Sequence, residues 1–353
     1  MTDNTPGHVL KNLDAGLSLE MGDEIAGHDE DAGGGLENDD EPVLEAVPAE
    51  PGLALVALAA DDELATHGIG TLAATDGLGE VPAAGSLGLL LGVGDSWIRN
   101  IDPDTADFAD ALAALGYDTS SFKRTSGEGL TLRIQAAVPA DVEQPGIYQE
   151  LRYAIDAAAH DVSKRPKALL VSVSGNDIHA TTDDVNGNTQ PAPLAKIVLP
   201  AGSAAMINAS ELNKFIDVLK GELIVLLEKL LEFTKEDNYH IPVVLHGYDY
   251  PVPDGRNYQP VAPEDSWLYS VITHQCHYDG ITEGRAIMTT LIYQLNVMMA
   301  GVASTYAAQH VIHAKLTGTL QAVNYKDDWM NELHPTNSGF VKLGNALRKF
   351  LPP

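Results

Sequence analysis

Four short stretches of this 353-residue chain carry residue types that can do chemistry together. Ser96 follows Gly94-Asp95 at the end of an apolar run that starts at Leu87. Gly129 closes the turn Ser126-Gly127-Glu128-Gly129. Asn176 stands between Gly175 and Asp177, directly after the run Lys167 to Ser174. His334 precedes Pro335-Thr336 near the C-terminus. A serine hydroxyl becomes a nucleophile when a histidine takes its proton, and amide N–H groups can stabilise the oxyanion formed on an attacked carbonyl. Gly129 offers a backbone N–H with no side chain in the way, and Asn176 offers a side-chain amide. Each also has a plainer role. Ser96 can be a helix cap, Asp95 and Asp177 can fix their turns, and a lone His334 can be a loop histidine.

These residues meet only if the fold carries them to one rim. Leu87 to Gly94 is short, apolar and bounded by glycine, which predicts a strand buried on both faces. Phe108, Leu112 and Leu115 recur with helical spacing, predicting a helix between Ile98 and Gly116. Tyr117 to Thr125 is a second candidate strand, and Ile147, Leu151 and Ile155 mark the next helix. Lys167 to Ser174, Pro242 to Tyr248 and His310 to Leu316 read as further strands. Helices are predicted over Glu211 to Phe233, Ile287 to Met299 and Ser338 to Leu351. Strands alternating with amphipathic helices predict an α/β fold with a parallel sheet, whose strands end on the same side. The polar stretch 179–205 is long for a connection and is expected to be a surface loop or a wall of the site. With the segment 249–278 it is expected to set the substrate.

In this order and on these strand ends, Gly94-Asp95-Ser96, Gly129, Gly175-Asn176-Asp177 and His334 resemble the SGNH (GDSL-type) serine hydrolase superfamily, over roughly Leu87 to the C-terminus. The resemblance implies a three-layer α/β/α sandwich around a five-stranded parallel sheet of flavodoxin-like order. It implies a carboxylic ester hydrolase, esterase- or lipase-like, with Ser96 as nucleophile, His334 as general base, and Ser96, Gly129 and Asn176 as the oxyanion hole. Gly127 also qualifies for the glycine block, and Gly129 fits its surroundings better. The family places an Asp three residues before the His, where this chain has Asn331. Asp328 or Asp327 is the expected substitute, with Asn331 itself or a backbone carbonyl as the alternatives. Trp97 and Trp329 flank the blocks as candidate walls of the substrate pocket. The missing acid also motivates a rival reading, a non-catalytic binding or scaffold protein that retains the hydrolase fold.

The formal charge of −29 argues against nucleic acid or anionic membrane as partner, since both call for clustered Lys and Arg. Residues 1–85 hold 19 acidic side chains against a single base, Lys11, so residues 1–86 are expected to form an acidic, mostly disordered tail and linker ahead of a hydrolase domain at 87–353. Cys276 is the only cysteine, which excludes an intrachain disulfide and a cysteine zinc site. No metal or cofactor is expected, and the partner is expected to be a small-molecule, lipid or carbohydrate ester. The N-terminus lacks the basic and apolar regions of a Sec signal, and no apolar run suggests a membrane span. The default expectation is a cytoplasmic protein, with leaderless secretion as the alternative.

Overall fold

The computed structural model describes residues 87–100, 105–122, 131–132, 147–183, 189–234, 240–257 and 266–352. The expected acidic tail, the domain boundary at 86, and both Gly127 and Gly129 lie outside the described residues.

Five strands form one parallel sheet: β1 (Gly88–Gly94), β2 (Tyr117–Asp118), β3 (Ala168–Ser172), β6 (Val243–His246) and β7 (Val311–Ala314). Their order is β2-β1-β3-β6-β7, the flavodoxin-like arrangement. A two-stranded antiparallel pair, β4 (Thr182–Asp183) with β5 (Thr189–Gln190), stands apart from it. β3 and β6 are buried along their whole length, which is why the sequence there is continuously apolar rather than alternating.

The chain runs from β1 outward to β2, then crosses back past β1 to β3. Parallel crossovers are right-handed, so the helix of the first connection and those of the later ones lie on opposite faces. The helix pairing agrees. α1 (Phe108–Ala114) packs on α7 (Asn337–Leu347), whereas α2 (Ile147–His160), α4 (Ala209–Thr234) and α5 (Ile281–Thr305) pack in a row. The result is an α/β/α sandwich. The direction of the chain reverses between β1 and β3, and the crevice beyond their carboxyl ends is where open sheets of this type bind ligands. Ser96 follows β1 and Asn176 follows β3.

Three sequence expectations change in detail. The first helix begins at Phe108, not near Ile98. The Asp95 carbonyl accepts from the N–H groups of Ile98 and Arg99 in a tight turn. Asp107 then caps α1, its Oδ1 accepting from Asp110 N at 3.0 Å and its Oδ2 from Asn100 N at 2.8 Å. β2 spans two residues because Asp118 Oδ1 accepts from Ser120 N and turns the chain off the sheet edge. The described part of 179–205 is not a slack loop. It holds the β4–β5 pair, the helix α3 (Pro193–Ile197) and a bridge from Val198 to Ile207.

α5 is long and apolar enough to cross a bilayer by length and composition alone. Here its buried residues, among them Ile287, Leu291, Leu295 and Met299, belong to the core. An aromatic cluster locks the site end of the sandwich. The ring of Phe340 on α7 lies 5.7 Å from Phe108 on α1 and 5.9 Å from Trp97 beside Ser96. The helix that follows His334 is thereby packed against the turn that carries Ser96.

Candidate active site

The turn after β1 is set by close approach of two strand ends. Gly94 and Ser172 are register partners, and a Cβ on Gly94 would lie 2.3 Å from the Ser172 carbonyl oxygen. No larger residue fits, so the run ends on glycine and the next residues leave the sheet. Asp95 is buried behind the turn, its Oδ1 accepting from Trp97 N at 3.1 Å and from Ser172 Oγ at 2.6 Å. Ser96 is thus presented at the rim between β1 and β3.

The loop that brings His334 back is built from its own acids and amides. α6 (Tyr325–Asp328) ends at Trp329, which bridges Pro335, and Met330 N donates to His334 O at 2.9 Å. Arg256 Nη1 donates to the carbonyls of Trp329 at 2.8 Å and Met330 at 2.9 Å. The buried Glu332 carboxylate accepts from Gly255, Leu268 and Tyr269 N–H groups at 2.8 to 3.0 Å. Thr336 caps α7 through Gly339 N.

Ser96 Oγ and His334 Nε2 lie 2.8 Å apart, and both residues are buried. His334 Nδ1 is 3.1 Å from Asn331 Oδ1, which also accepts from Leu333 N at 2.9 Å and His334 N at 2.8 Å. Those two backbone donors fix the amide with its oxygen toward the ring. An amide oxygen only accepts, so Nδ1 carries the imidazole proton and Nε2 is left to accept from the serine hydroxyl. That is the tautomer a general base needs.

The geometry corrects the expected acid. Asp328 is buried but turned to α7, where Lys342 Nζ reaches its two oxygens at 2.6 and 2.9 Å and Gln321 N donates to it at 2.8 Å. Asp327 is exposed and contributes its backbone carbonyl to Thr336 and Ser338. The group on His334 Nδ1 is Asn331. Its Nδ2 is buried without a partner among the described residues.

Burial pulls His334 down to a pKa of about 3, with the nearby His179 adding to the effect. The same cause holds His179 at about 4. Asn176 sits in the short turn Asn176–Ile178 after β3, and its Oδ1 accepts from His179 Nε2 at 3.4 Å. Burial raises Asp177 to about 7 against the Leu132 N–H that it accepts at 2.9 Å. Ser174, just before this turn, has φ +81°, a left-handed conformation that is uncommon outside glycine and recurs where a site over-determines its backbone.

A cavity opens at these residues. Ser96, His334, Asn176, Trp97 and Trp329 line it, with Ile178 and Leu268 among the apolar walls. Trp97 and Trp329 are almost wholly buried, and Trp97 Nε1 donates to Leu333 O at 2.9 Å. Sequence reasoning overlooked Tyr248, Glu332, Arg256 and Trp267. Tyr248 lies just past the end of β6, beside β3, and reaches the same rim, a position its place after Leu245-His246-Gly247 could have suggested. Trp267 packs edge-on to His334 with ring centres 6.0 Å apart. Among the described residues no cluster of His, Cys, Asp and Glu is arranged to hold a metal.

Neither a protein-family model nor a curated protein matches the sequence. Solved structures do. A lipase from a goat rumen metagenome matches at 10% identity over 74% of this chain and 97% of that one, with a TM-score of 0.43. An aryl esterase from M. smegmatis, in its inhibitor-bound form, matches at 12% identity over 74% of this chain and 97% of that one, with a TM-score of 0.35. An extracellular lipase from Streptomyces rimosus matches at 11% identity over 73% and 99%, with a TM-score of 0.34. What this chain's own site can do follows from its geometry. A hydroxyl, an imidazole in the accepting tautomer and a side-chain amide meet at the sheet's switch point, the constellation of acyl transfer.

Proposed function

We propose that this protein is a serine hydrolase of carboxylic esters, of the SGNH type that its sequence blocks resemble. The observation that carries the reading is the 2.8 Å contact of Ser96 Oγ with His334 Nε2, with Nδ1 held by Asn331. In this scheme Ser96 attacks the ester carbonyl while His334 takes its proton. Asn176, with the Ser96 N–H and the glycine-block N–H of Gly129, holds the oxyanion, each donor contributing about 3 kcal/mol. His334 then protonates the leaving alcohol, and water activated by the same imidazole releases the acid. Trp97 and Trp329 wall the acyl side. The test is turnover of short p-nitrophenyl esters. The native chain hydrolyses them and Ser96→Ala, with its fold intact, does not. Equal rates in the two would refute the mechanism.

Asn331 is the one observation that favours a second reading, a binding protein that retains this fold. In a serine protease, Asp→Asn at the orienting position costs about 10⁴ in kcat because the imidazole takes the wrong tautomer. Here the backbone donors of Leu333 and His334 hold the amide oxygen on the ring, so the tautomer is right and only the charge is missing. That geometry favours the enzyme.

A further inference from the structure

Tyr248 Oη lies 2.5 Å from Asp95 Oδ2 and 3.0 Å from the Val173 carbonyl oxygen, and it accepts from Gly175 N at 3.3 Å. A phenol has one proton. If Asp95 were ionised, that proton could serve the carboxylate or the carbonyl, and the other contact would set two bare oxygens against each other. Asp95 Oδ1 already accepts from Trp97 N and Ser172 Oγ. A proton on Oδ2 serves both short contacts of the phenol and leaves only the longer approach of Ser172 Oγ to Tyr248 Oη, at 3.4 Å, without one. Asp95 then donates to Tyr248, Tyr248 donates to Val173 O, and Gly175 N donates to Tyr248.

We propose that Asp95 is un-ionised at neutral pH and that, through Tyr248, it is a positioning residue joining the nucleophile turn to the oxyanion turn. Its catalytic part rests on the serine hydrolase reading above. Asp95 and Tyr248 lie in the core, and no cationic side chain among the described residues bonds to the carboxyl. The titratable groups facing it are Asp177, whose charge disfavours a second one nearby, and neutral Tyr248, whose hydroxyl lies against the carboxyl. Burial pushes the carboxyl up, opposed by the bonds from Ser172, Tyr248 and Trp97. The tyrosine ring also packs against Gly175, where a Cβ would lie 3.0 Å from it, so it braces the turn that begins at the strained Ser174 and carries Asn176. A carboxylate adjoining Ser96 would repel the oxyanion that forms there. A carboxylic acid supplies the same bracing without that repulsion.

The experiment is infrared spectroscopy of the full chain with isotope-labelled aspartate. The pH is neutral, and the bands of Asp177 and Asp107, at about 7 and about 6, cancel in the difference between native protein and variant. The native protein minus Asp95→Asn is expected to show the carbonyl stretch of an un-ionised carboxyl. Should Asp95→Asn fail to fold, Tyr248→Phe in place of it should shift that band. A spectrum with carboxylate stretches alone overturns the proposal. The readout needs no substrate, so it stands apart from any failure of the esterase reading. For the positioning part, Tyr248→Phe should lower kcat by up to about 100-fold with KM nearly unchanged. Asp95→Asn, which keeps a donor facing Tyr248, should lose far less. An unchanged kcat in Tyr248→Phe would overturn that part.

Discussion

At the residue scale the account turns on Asn331 and His334. A general base must be neutral to accept a proton, and burial holds His334 at about 3 in the resting protein. Its activity should therefore persist as pH falls below the ordinary histidine value of 6.5, through the range where an unshifted imidazole is already protonated. The pH profile of kcat/KM checks this. Asn331→Asp would place a charge 3.1 Å from Nδ1, in the seat of the amide oxygen. An opposite charge at that distance favours imidazolium, so the acid limb should move up by about 1–3 pH units and kcat should rise. An acid limb that does not move would mean that the new carboxylate does not face the ring. Ser96, Asn176 and His334 are legible in the sequence because each lies where an apolar run or a loop stops on glycine or proline. Asn331 is not legible in the same way. Choosing it over Asp328 depends on Lys342, fourteen residues further on and on another helix, claiming the aspartate. Local spacing carries no sign of that pairing.

At the element scale, two segments far apart in sequence form one wall. The stretches 254–257 and 266–269 are tied to the His334 loop by Glu332 and Arg256. Both are charged residues in loops, so hydropathy patterning passes over them. Glu332→Ala would leave three N–H donors without their acceptor. Each buried unsatisfied donor costs roughly 1–3 kcal/mol, so the loss should be about 3 kcal/mol or more, read by denaturant unfolding. Glu332→Gln keeps an acceptor oxygen and should cost distinctly less. Similar stability in the two variants would show that the carboxylate is no tether. The strand ends and the sandwich are readable from period and length, whereas the two-residue β2 is not. After Tyr117 the next apolar residue is Phe122, and its ring fills the space beside Gly92, where a Cβ would lie 2.8 Å from it. Burial there serves packing under the sheet rather than pairing at its edge.

At the scale of the whole molecule, the site end of the sandwich holds a buried histidine that plays no part in the chemistry. His246 sits on β6 with its ring stacked on Trp97 at 5.8 Å and edge-on to Phe108 at 5.0 Å, and its Nε2 has no partner among the described residues. Burial lowers it to about 4, with a small opposing bond to Gly247 O. The unfolded chain takes up this proton below pH 6.5 while the folded chain resists until about 4. The stability from burying neutral His246 is therefore complete above pH 6.5 and drains away as pH falls toward 4. Against His246→Leu, the native protein should lose roughly 3 kcal/mol of relative stability across that window and none above it. Parallel denaturation curves at a series of pH values test this, and a constant difference between the two proteins would contradict it.

The central claim is that Ser96 is a nucleophile activated by His334. The most direct measurement is the mass of the intact folded protein after exposure to a fluorophosphonate probe, with the labelled peptide sequenced. The account predicts one adduct, on Ser96, lost in Ser96→Ala and strongly slowed in His334→Ala. A folded protein that takes no label, or takes it on another residue, would contradict it.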